Sequence, residues 1–123
     1  MRFQQFDATR TLMSGEVTGL TPGLHGIHVH TFGDLSDGCA STGGHYNPRG
    51  AEFEDENAGG YIGNLGNIEA DRNGVARFSI LYPDLDLGLT GEAFSILSRS
   101  IVVHADKDGG ARVACGVIGT RNE

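Results

Sequence analysis

Twenty glycines are scattered through the 123 residues without a repeat, and they confine the chain to short, often interrupted elements. Glycine serves turns and bulges well, whereas inside a helix it costs roughly 1 kcal/mol relative to alanine. No sustained helical periodicity runs between the glycines, and the segments read as strands instead. "TLMSGEVTGL" ends at the turn Thr21-Pro22-Gly23, which leads into "LHGIHVH". "NLGNIEA" and "VARFSIL" flank "DRNG", whose Asn-Gly pair is a strong hairpin signal. In the second of these, Ala76, Phe78 and Ile80 fall on one face while Arg77 and Ser79 fall on the other, the pattern of a half-buried strand. "SRSIVVH" and "RVACGVIG" follow; with "FQQFD" at the start and "AFSI" as an edge or loop, about seven strands result. The class is all-β, a sandwich or flattened barrel, with residues 1–123 as a single domain.

A formal charge of -7 and a single lysine, Lys107, argue against nucleic acid and against an anionic membrane surface as partners. No apolar run approaches the roughly 18 residues of a membrane span, and "MRFQQFDATR" does not read as a signal peptide. Met1 is either a true start or a methionine at a domain boundary. The stretch Thr31 to Gly63 is too long for a casual connection, and loops of this length are usually functional or disordered. Its content of Cys39, His45, Phe32, Tyr46, Phe53 and Tyr61 favours order. Cys39 and Cys115 lie far apart, so one disulfide is open to the chain and an oxidising compartment would favour it; two buried free thiols are the alternative.

The five histidines are His25, His28, His30, His45 and His104. In "HVH", His28 and His30 point to the same side of a strand, about 7 Å apart, and Val29 points to the other. His45 sits in "GGHYNP" and His104 ends the apolar run "IVVH". Two strand histidines, one loop histidine and one strand-end histidine could gather around one ion, and an all-nitrogen set points first to Cu(II). Five unrelated histidines are the alternative that spacing leaves open.

"GLHGIHVHTFGDLSDGCASTGGHYNP", "GNLGNIEADRNGVA" and "IVVHADKDGGARVACGVIG" together resemble the copper/zinc superoxide dismutase family, in order and over most of the chain. The resemblance implies a Greek-key, immunoglobulin-like β-barrel of seven to eight strands with a long disulfide-anchored loop. It implies copper bound by His28, His30, His45 and His104, and a Cys39–Cys115 disulfide pinning the loop. It places Arg112 beside the copper, where it attracts the anionic substrate, and gives His25 a structural role, its imidazole bonded to backbone near the site. The implied activity is conversion of superoxide to dioxygen and hydrogen peroxide. A copper-binding or interaction module of the same fold, with little turnover, is the competing reading.

Departures from the family pattern are equally informative. Where zinc-containing members carry a zinc histidine and a zinc aspartate, the alignment of "YIGNLGN" places Tyr61 and Asn64. Neutral asparagine is a poor zinc ligand, so zinc is not expected. Tyr61 or Asn64, or a glutamate of the loop, is then expected to bond the other ring nitrogen of His45, and Asp108 to orient His28. Only "ADKDGGA" separates His104 from Arg112, a shortened electrostatic loop that should leave the copper more open. Set against the family pattern, the first barrel strand is expected to be absent ahead of "FQQFD", so that a neighbouring segment supplies it or an edge must be shielded. These losses resemble the copper-only branch of the family, known from secreted fungal enzymes and from animal proteins built of tandem repeats. A secreted or extracellular location and neighbouring repeats as partners are therefore expectations, with the cytoplasm left open.

Overall fold

The computed structural model describes residues 1–5, 10–47, 63–82 and 95–119. Its strands are β1 (Arg2–Gln5), β2 (Thr11–Val17), β3 (Gly23–His30), β4 (Ser36–Cys39), β5 (Asn64–Ala70), β6 (Ala76–Tyr82), β7 (Ser100–Asp106) and β8 (Gly109–Val117). A 3-10 turn, Ala40–Thr42, follows β4. Seven strands form one antiparallel sheet in the order β1-β2-β6-β5-β3-β7-β8. The chain thus skips over neighbours between β2 and β3 and again between β6 and β7, a Greek-key route. Among the described residues β1 and β8 are the edge strands, and no helix is long and apolar enough to cross a membrane.

The sheet curls because one face of five strands feeds a common core. Met13 of β2, Ile27 and Val29 of β3, Leu65 and Ile68 of β5, Ala76 of β6 and Val103 of β7 all belong to it. Met13, Ile27 and Val29 are wholly buried, and burying each stabilises the fold by about 1.5–3 kcal/mol. Phe78 and Ile80 pack against the same cluster, on the face that the alternation in β6 assigned them. Of "AFSI", Ala93 and Phe94 lie outside the described residues; Ser95 and Ile96 are not strand, although Ile96 is a core residue.

The β5–β6 hairpin forms where expected, with Ala70 opposite Ala76. Its turn differs from a two-residue Asn-Gly turn. Asp71 Oδ1 accepts the amides of Asn73 and Val75, and only Gly74 takes a left-handed conformation, φ 78°. The aspartate closes a longer loop, so Asn73 is spared the positive φ that the tight turn would impose.

Three register irregularities flank the histidine-bearing strands, one between β3 and β5 and two between β7 and β8. Between β3 and β5 the pairing jumps from Gly26↔Asn67 to His28↔Asn64, an extra residue in β5 beside left-handed Gly66. Between β7 and β8 it jumps from Val103↔Ala114 to His104↔Arg112, leaving Val113 unpaired and half exposed. That bulge puts Arg112 directly across from His104, and cross-strand partners share a face.

Candidate metal centre

Alternation along β3 and β7 divides labour between the faces. Ile27, Val29 and Val103 go to the core, while His28, His30 and His104 go to the outer face. Those three histidines are nevertheless only 1%, 1% and 3% exposed. The segment from β4 to His45 covers them, and the Cys39–Cys115 disulfide, 76 residues apart in sequence, ties this cover to β8. Backbone bonds complete the attachment: Phe32 N–H donates to Thr42 O (2.9 Å) and Thr31 N–H to Gly44 O (2.9 Å). An isolated bridge pairs His30 with His45 and delivers the fourth imidazole, which is half-buried.

One nitrogen from each of His28, His30, His45 and His104 falls within 4.8 Å of the others. The hydrogen bonds decide which nitrogens those are. His30 Nδ1 meets Gly43 O at 2.9 Å and His104 Nδ1 meets Gly110 O at 2.9 Å. A carbonyl can only accept, so both Nδ1 atoms carry protons and both rings present Nε2 inward. The two Nε2 atoms then face each other 3.3 Å apart, lone pair towards lone pair, and a cation between them would turn that repulsion into attraction. His28 differs: its Nδ1 is buried without a hydrogen-bond partner. Leaving a buried polar atom unpaired is costly, and a metal ion would satisfy it.

Burial holds His28 well below the ordinary 6.5, at about 3, with His45, His104 and His30 adding to the effect and Asp108 opposing it. His30 is lowered to about 4, again by burial first; the Gly43 bond opposes, and His45, Arg112 and His104 contribute. Unprotonated imidazoles are what a metal requires. The residues present therefore fit, by donor type and convergence, an ion held by four nitrogens.

Arg112 lies across the sheet from His104, and its Nη1 donates to Cys39 O (2.9 Å) and to Thr42 Oγ1 (3.0 Å). Thr42 is wholly buried and donates in turn to Cys39 O (2.7 Å). His25 is also buried, with Nδ1 donating to His104 O (2.8 Å) and Nε2 2.7 Å from Thr21 O. It joins the turn before β3 to the backbone of His104. Asp108 is bonded to Asn67 in both directions: Asn67 Nδ2 donates to its Oδ1 (2.8 Å) and its own amide donates to Asn67 Oδ1 (2.7 Å). It reaches His28 through its charge, and the bonding partner is Asn67. Asn64 Oδ1 accepts the Gly66 amide at 3.2 Å. Tyr61 lies outside the described residues. Thr42, Asn67 and the carbonyls of Gly43 and Gly110 escaped the sequence reading, and backbone acceptors leave no mark in a sequence.

A family model described as copper/zinc superoxide dismutase matches residues 1–118. "Superoxide dismutase [Cu-Zn] 2" of Mesembryanthemum crystallinum is 43% identical over 138 aligned positions, covering 97% of this chain and 85% of the relative. "Superoxide dismutase [Cu-Zn] 3" of Arabidopsis thaliana is 41% identical over 141 positions, covering 99% and 82%. Both alignments are longer than the 123 residues present, so the relatives carry insertions where this chain is shorter.

Proposed function

Because the chain belongs to the copper/zinc superoxide dismutase family, we propose that it disproportionates superoxide at a single copper site without zinc. The observation that carries the reading is the set of inward nitrogens: His28 Nδ1 with no other partner, and His30 and His104 with Nε2 atoms 3.3 Å apart. Copper, when bound, would supply the one-electron chemistry, taking an electron from one superoxide and giving it to a second.

The rest belongs to the chain. His28, His30, His45 and His104 would hold the ion, with the Nδ1–H bonds of His30 and His104 fixing ring orientation. Arg112 would draw the anion. Its Nη1 is fixed by Cys39 O and Thr42 Oγ1, and a positioned positive charge matters more on a chain of net charge -7. Support for the absence of zinc is arithmetic. Four of the five histidines form the cluster and the fifth, His25, is engaged with two backbone carbonyls, so no further imidazole remains for a second ion. Tyr61 and Asn64 are our candidates for steadying His45 in place of zinc; a Tyr61→Phe variant with unaltered copper affinity and turnover would remove Tyr61 from that role. An oxidising, extracellular setting is part of the proposal, since the Cys39–Cys115 bond persists there. Free thiols in protein isolated from its native source would count against it.

The deciding experiment loads the protein with copper, zinc withheld, and follows superoxide removal before and after His104→Ala. We expect rapid removal, lost in the variant together with bound copper. Copper bound without turnover would favour a copper-binding module. Reconstitution from an equal mixture of the metals should retain one copper and no zinc per chain; stoichiometric zinc at a separate position would overturn the zinc-free reading.

A further inference from the structure

Three of the four histidines are set by ladder hydrogen bonds within β3 and β7, but His45 lies outside the sheet. Its neighbours give it a place. Tyr46 N–H donates to Val29 O (2.7 Å), Gly63 N–H donates to Tyr46 O (2.9 Å), and the Tyr46 ring is buried. Over that ring lies the guanidinium of Arg99, with Cζ 3.8 Å from the centroid. The same guanidinium donates from Nη1 to Thr31 O (2.9 Å) and from Nε to Ser95 O (3.1 Å). Thr31 follows His30, and Tyr46 follows His45. One planar group therefore touches the residue after each of two metal-binding histidines.

The mount beneath it is firm. Arg99 O accepts the Ile118 amide at 2.8 Å, and Gly33 packs so closely on Ser98 O that any Cβ there would collide with it. Ser98 itself takes the left-handed φ of 67° immediately before Arg99. Flat stacking combined with sideways donation is a property of guanidinium, and a lysine ammonium cannot reproduce both.

We propose that Arg99 is a positioning residue of the metal centre, holding His45 in register with His30 through Tyr46 and Thr31. This rests on the four-histidine reading above. The test uses Cu(II)-loaded protein, well below the unfolding temperature of each variant, and records the visible absorption and electron paramagnetic resonance spectra with the Cu(II) affinity. Arg99→Gln should shift the visible band to longer wavelength, as a weakened nitrogen donor would, and lower affinity roughly 10-fold. Tyr46→Leu should give the same change, and the double variant should add little more, because the two act through one contact. Arg99→Lys should resemble Arg99→Gln. If Arg99→Gln fails to fold, Tyr46→Leu and Arg99→Lys are read by the same criterion. A native copper spectrum and affinity in any folded Arg99 variant, even with a lowered melting temperature, overturns the proposal and leaves Arg99 a structural residue. Wild-type protein that takes no Cu(II) at these histidines would bring down the site assignment and this proposal with it.

Discussion

Removing the Cys39–Cys115 cross-link, as Cys39→Ser with Cys115→Ser, tests how the cover over the histidines is held. Ser36, Asp37 and Gly38 of β4 are exposed, so this strand contributes little burial of its own. The bond spans 76 residues, and closing a loop of that length in the unfolded chain corresponds to about 4.5 kcal/mol in the chain-entropy account. A chain of 123 residues has an unfolding entropy of about 0.26 kcal/mol per degree at its midpoint, so the melting temperature should drop by about 17 °C. The measurement is urea and thermal unfolding of metal-free protein, because bound metal would add its own stabilisation. Since the cross-link acts mainly on the unfolded chain, copper loading of the folded variant in the cold should still yield the native spectrum. A loss below about 1 kcal/mol would refute the reasoning, by showing that the hydrogen bonds of the cover suffice without the tether.

Three more outcomes follow from the same geometry. Thr42→Val removes a buried hydroxyl that serves Arg112 and Cys39 O, and should cost about 1–3 kcal/mol in urea unfolding; an unchanged midpoint refutes this. Arg112→Gln should keep its copper yet remove superoxide about 10-fold more slowly at low salt, with a flatter dependence on ionic strength; an unaltered rate would end the steering argument. In the metal-free protein His28 and His30 are held at about 3 and about 4, so as pH falls the unfolded chain takes up protons first. Stability from this source is complete above the ordinary 6.5, declines as pH falls below it, and stops changing only below both folded values. Constant stability between about pH 6.5 and pH 4.5, read by denaturant titration, would contradict the burial of these rings.

Sequence patterning was legible where alternation met burial. "GIHVH" assigns Ile27 and Val29 to one face and His28 and His30 to the other, and the core and the cluster respect that division. It failed where nothing alternates. β4, "SDGC", has no apolar partner positions and owes its place to a disulfide and hydrogen bonds, so the region 31–63 read only as a loop. The bulge at Val113 was equally silent: regular pairing would set Val113 opposite His104, and only the inserted residue brings Arg112 there. Asn73 carried a turn signal whose chemistry Asp71 took over, through its side chain rather than through the expected dihedrals. The pairing of the cysteines came from family resemblance, since spacing alone left free thiols open.

β3 stakes both faces on a single alignment. Sliding its pairing by one residue would turn His28 and His30 inward and push Ile27 and Val29 outward, since side chains alternate strictly along a strand. A molecule with that error has no coordination sphere to offer. With the proposed copper site, the fraction of a preparation that takes up the metal would therefore report the fraction of correctly threaded chains.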